Sequence, residues 1–113
     1  MSGTVKWPFG PADVQAPAAH AATVAATIIN AKTFLTLPTM TGAVTLNLTV
    51  DADLEAGAEL ILRAKSDGTA RDITPGTSME GPVVAGVINK TKLTRYVYDG
   101  SKFVNTGLAL QID

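Results

Sequence analysis

Asp51, Asp53 and Glu55 stand at alternate positions and form the densest run of oxygen donors in the chain. Alternating carboxylates in a loop suit a calcium ion. An EF-hand loop also requires glycine at its sixth position and a bidentate glutamate at its twelfth. Counted from Asp51, those positions hold Ala56 and Leu62, so the EF-hand pattern fails. What remains is a looser oxygen site or a solvated turn built from turn-favouring acids. His20 is the only histidine and there is no cysteine. A zinc site would have to draw every other ligand from carboxylates, which is unusual. His20 is also the only imidazole base, and no serine sits in a G-x-S-x-G elbow; Ser66 and Ser78 fall in turns. Neither glycine-rich phosphate motif occurs. The residues offer no nucleophile–base pair, so neither an enzyme nor a bound cofactor or metal is expected.

A second cluster joins cations and rings. Lys90, Lys92, Arg95 and Lys102 surround Tyr96, Tyr98 and Phe103. Stacking rings among cations are the parts of a single-stranded nucleic-acid platform, and the same tyrosines could stack on the sugar rings of a host-surface glycan. Against nucleic acid stands the charge balance, 9 basic against 10 acidic residues. Aromatics in a hairpin more often serve as core or as cross-strand pairs.

These rings belong to the stretch that organises the chain, LTRYVYDGSKFV, Leu93 to Val104. Asp99-Gly100 between two β-prone runs signals a hairpin with a type I′ turn, which needs positive φ at both central residues. Tyr96, Tyr98, Asp99, Gly100 and Phe103 are its structural residues, pairing Leu93–Tyr98 with Lys102–Thr106. The clearest strand is Ala43–Val50, with Val44, Leu46, Leu48 and Val50 on one face and Thr45, Asn47 and Thr49 on the other. Glu59–Lys65 follows the same rule, with Leu60, Leu62 and Ala64 inward and Ile61 breaking the polar face. Shorter strands are expected at Thr23–Ile29, Thr33–Leu37, Ala70–Thr74, Val83–Asn89 and the final LALQID, with Gly86 marking a bulge or a close backbone approach. Short strands with turns every 8–12 residues or so predict an all-β fold, an antiparallel β-sandwich or jelly-roll-like domain over residues 23–113. No period of 20–50 residues recurs, so no internal repeat is expected.

With 113 residues the chain is one domain at most. Net charge is −1, nothing approaches the roughly 20 apolar residues of a membrane helix, and the N-terminus lacks the apolar run of a signal peptide. Neither a nucleic acid nor a membrane is an expected partner. Charged residues make up only 17%, fewer than free monomers usually carry, which points to permanent assembly. Residues 1–22 differ from the rest: Pro8, Pro11 and Pro17 cannot donate to a ladder. This segment is expected to be an extended anchoring arm, with Trp7 and Phe9 as its apolar anchors.

Three stretches, TIINAKTFLTLPTMTGAVTLNLT, GAELILRAKSDGTARDITPGT and GPVVAGVINKTKLTRYVYDGSKFV, resemble small virion structural proteins of tailed bacteriophages. The last ends in the aromatic-Asp-Gly-x-x-aromatic hairpin found near the C-terminus of such domains. The resemblance covers about three-quarters of the chain. It implies a head-fibre or decoration subunit on the capsid surface, commonly a homotrimer. Its N-terminal segment would fix it to the major capsid protein or another virion component. It implies no catalytic residues. A carbohydrate-binding or receptor-binding module of a tail fibre is the alternative.

Overall fold

In the computed structural model, which describes residues 13–107 and 109–113, the chain folds into strands, with no helix among the described residues. The first six strands alternate between two sheets. β1 (Asp13–Gln15), β3 (Lys32–Thr36) and β5 (Glu59–Lys65) are neighbours in one sheet; β2 (Thr23–Ile28), β4 (Val44–Val50) and β6 (Ile73–Pro75) make the other. All four of these contacts are parallel: Asp13 pairs with Thr33, Thr33 with Leu60, Thr23 with Thr45, and Thr45 with Thr74. Two strands, one in each sheet, therefore make a coil, and each coil lies on the one before it, as in a solenoid.

This corrects the expected antiparallel arrangement. A strand that returns to its own sheet after crossing to the other runs in its original direction, so the second sheet does the work that a helix does in most parallel crossovers. It also corrects the expectation that nothing repeats. The structural unit recurs, but the step from Thr45 to Thr74 is longer than that from Thr23 to Thr45, so the stacked threonines at these equivalent positions show no fixed period in the sequence.

The alternation read from the sequence sets the faces. Val44, Leu46 and Leu48 are buried, as are Leu60, Leu62 and Ala64, while Ile61 is half-buried on the outer face. With Val24, Ile28, Leu35, Ile73, Tyr96 and Phe103 they form one apolar cluster drawing on both sheets. Burying a Leu or Ile side chain contributes about 1.5–3 kcal/mol, so this cluster supplies most of the driving force in a chain without disulfides.

The parallel stack ends at β8 (Thr91–Tyr98), which pairs antiparallel with β5 from Glu59–Val97 to Lys65–Thr91. Beyond β8 lie β9 (Phe103–Asn105) and β10 (Leu110–Gln111), both antiparallel to it, and β7 (Met79–Glu80) runs parallel to β9. At the opposite end, residues 13–15 of the segment expected as an arm form β1. Its inward positions are polar. The Gln15 side-chain amide donates to the Thr27 carbonyl at 2.8 Å and to Asp13 Oδ2 at 3.0 Å, lacing the first coil across the gap between sheets.

Three expected strands shrink or are lost, and the final LALQID keeps only Leu110–Gln111. Within Ala70–Thr74 only Ile73 and Thr74 join β6, because Arg71 is held in the preceding turn by Asp67 at 2.9 Å and by the Ser66 hydroxyl. Val83–Asn89 forms no strand: Val84 makes a single antiparallel bridge to Ile73, and the Gly86 N–H donates to Asp72 Oδ1. Gly86 does mark a close approach. A Cβ there would overlap the Arg71 carbonyl oxygen and the Ser66 hydroxyl.

Candidate functional site

The hairpin stands where the sequence places it, with a different turn. Tyr98 pairs with Phe103, and the Asp99 N–H donates to the Lys102 carbonyl at 3.0 Å. Gly100 and Ser101 are thus the central residues, one position later than expected. Only Gly100 has positive φ, at 99°, the condition of a type II′ rather than a type I′ turn. Asp99 acts through its side chain, whose Oδ1 accepts the N–H groups of Ser101 and Lys102 at 2.8 Å each. These bonds, led by that from Lys102, hold its carboxyl below the usual carboxylate range.

The three rings of this region are not a binding platform. Tyr96 and Phe103 are fully buried, and Tyr98 packs against the core. Burial pushes the Tyr96 phenol up and the nearby Asn105 side chain opposes this; among the described residues no group stands in good hydrogen-bond geometry to the hydroxyl. Of the cations, Arg95 is tied to Glu59 at 2.8 Å. Trp7 and Phe9 lie outside the described residues.

The acidic run does not converge. Asp53 and Glu55 line an open hollow of about 390 Å³ beside Ala31 and Gly57. Among the described residues, no group of three His, Asp or Glu side chains is arranged to hold a metal ion. The His20 ring rests beside Gly42. Ser66 is buried and spends its hydroxyl on the Arg71 backbone.

Two surfaces escaped the sequence reading. The first is a cleft of about 300 Å³ between the strap of residues 82–85 and β8, with Lys92, Thr94, Asn105 and Ala109 in its walls. Lys92 shares the inward parity of Thr94 and Tyr96, and a cation at that parity was the available signal that the core opens there. Val83 is exposed in the strap, Val87 and Ile88 in the segment after it, and Leu110 and Ile112 in the C-terminal tail. Leu110 pairs with Leu93 and the Ile112 N–H reaches the Thr91 carbonyl, so the tail runs along the first half of β8.

The second surface is the free edge of β2. The bonds from the Thr45 N–H to the Ala22 carbonyl (2.8 Å) and from the Asp51 N–H to the Ile28 carbonyl (3.0 Å) fix which residues face β4. Val24, Ala26 and Ile28 turn their backbone groups to β4, and Thr23, Ala25 and Thr27 turn theirs away. No strand among the described residues pairs on that side. The sequence TVAATI carries no charge and no proline, the usual devices that protect an edge.

No protein-family model matches the chain, and no curated protein matches it.

Proposed function

We propose that the protein is a non-enzymatic structural subunit that works in a homo-oligomer, as a head-fibre or decoration subunit on a phage capsid. The observation that carries the assembly part is the exposure of five large apolar side chains, Val83, Val87, Ile88, Leu110 and Ile112, in the C-terminal third of the chain. Sparse charge supports the same reading. The virion setting, the anchoring role of Trp7 and Phe9 and the three-fold order rest on the phage resemblance of the three stretches quoted above.

Sedimentation of the full chain at micromolar concentration tests it. A mass of three times the 11.7 kDa chain, or a two-fold multiple of that, is expected. The double variant Val83→Asp, Leu110→Asp should lose the three-fold contact while keeping its β-sheet circular dichroism. A wild-type monomer would overturn the assembly reading, and a wild-type dimer would overturn the three-fold order.

A further inference from the structure

We infer that the free edge of β2 is a second interface, at which two copies of this chain pair antiparallel about a two-fold axis through Ala25. A partner strand must present unpaired N–H and C=O groups at the positions where β2 turns its own away from β4, where no strand among the described residues pairs with them. The edge-facing residues are Thr23, Ala25 and Thr27, and this set is symmetric about Ala25. In a two-fold antiparallel register Ala25 meets Ala25 of the second copy, and Thr23 meets Thr27. Every pair is then of the hydrogen-bonded kind, with both N–H···O bonds exchanged.

The side chains agree with the backbone. Residues opposite one another in an antiparallel ladder point to the same face. Thr23, Ala25 and Thr27 are exposed on the outer face, while Val24 and Ala26 meet on the inner face and continue the apolar interior. No charge lies within the strand to repel its own copy, which an occupant of identical sequence requires. The Thr27 carbonyl already accepts from Gln15, and a carbonyl oxygen has two lone pairs, so it can accept a second N–H from the partner. This interface lies in the first coil, at the end of the stack opposite β8, and does not depend on the virion reading.

The natural chain has no cysteine, so Ala25→Cys gives a unique thiol on the proposed axis, and Ala70→Cys, exposed in a turn, is the control. With a short bis-maleimide, Ala25→Cys should form covalent dimer at least about tenfold faster than the control, because paired thiols meet far above their bulk concentration. Ala25→Pro should halve the sedimenting mass. The Ala25 N–H faces away from β4, so proline removes no bond within the chain. Equal cross-linking rates, or an unchanged mass for Ala25→Pro, would overturn the proposal. A trimer without preferential cross-linking overturns the edge contact and leaves the three-fold reading standing. Preferential cross-linking in a chain whose mass ignores Val83→Asp, Leu110→Asp does the reverse.

Discussion

Tyr98 and Phe103 stack across the β8–β9 hairpin as direct register partners, their ring centroids 5.1 Å apart and their planes tilted by 30°. Such pairs contribute about 0.5–1.5 kcal/mol beyond the area they bury. A double-mutant cycle of Tyr98→Leu and Phe103→Leu, read by urea denaturation, should return a coupling in that range. Phe103→Ala, at a fully buried ring, should cost about 3–5 kcal/mol.

Gly86 is a packing requirement rather than a flexible joint. Its backbone lies so close to Arg71 that a methyl group would overlap the carbonyl oxygen there. Gly86→Ala should therefore destabilise by about 1–3 kcal/mol, as other overpacked sites do. Gly68 has nothing within 4 Å of a built Cβ and no left-handed φ. Gly68→Ala should leave the midpoint of thermal unfolding within a few degrees of wild type.

The inner face of the larger sheet carries three buried hydroxyls, Thr33 Oγ1, Thr94 Oγ1 and that of Tyr96, that have no hydrogen-bond partner among the described residues, and Thr33 and Tyr96 flank Leu60 in one row. A buried polar group left unsatisfied costs about 1–3 kcal/mol. Thr33→Val keeps the β-branched shape and removes the hydroxyl, and should raise stability by about 1 kcal/mol. Tyr96→Phe should be neutral or stabilising in the same urea measurement. A loss of stability in both variants would show that these oxygens are bonded.

Acid should loosen the two ends of β8. The Asp99 carboxylate accepts the Lys102 and Ser101 N–H groups, and the Asp113 carboxylate accepts the Thr91 N–H at 2.8 Å. Both carboxyls are held below the usual range, as is Asp67 by Arg71. A depressed folded value means that the unfolded chain binds protons first. The stabilisation is complete above the unfolded value of about 3.9. It fades as pH falls from there through the lower folded values. The thermal midpoint should be flat from neutral pH to about pH 5 and fall below about pH 4, given that unfolded value. Asp99→Asn, which cannot titrate, should show a shallower fall.

Strand positions were legible where local chemistry decides them. Val44 to Val50 alternates cleanly, and its buried face is the one the alternation marks. Asp99 and Gly100 announced a reversal, although the acid's side chain, which shifted the turn by one residue, was not foreseen. Partner choice was not legible. Nothing in Thr23–Ile28 says that its neighbour is Val44–Val50 in parallel rather than the next strand in antiparallel, because that depends on the length and path of the crossover. β1 was hidden because three residues between Pro11 and Pro17 are too few to show a period. Val83–Asn89 has β-prone residues, but the close packing of Gly86 against Arg71 leaves room for one bridge only. The cation–aromatic cluster dissolved because alternation sends Tyr96 inward and Arg95 outward, towards Glu59.

β1 rests on β3 through the pairs Asp13–Thr33, Val14–Phe34 and Gln15–Leu35, with Gln15 tied across to β2. Tension applied at Asp13 is borne first by this strand. Pulled along its own axis, β1 is loaded in shear, and its backbone bonds and the Gln15 tie must yield together. Lifted away from the sheet, it peels one bond at a time. A tether placed there grips along the strands and releases when it is raised from them.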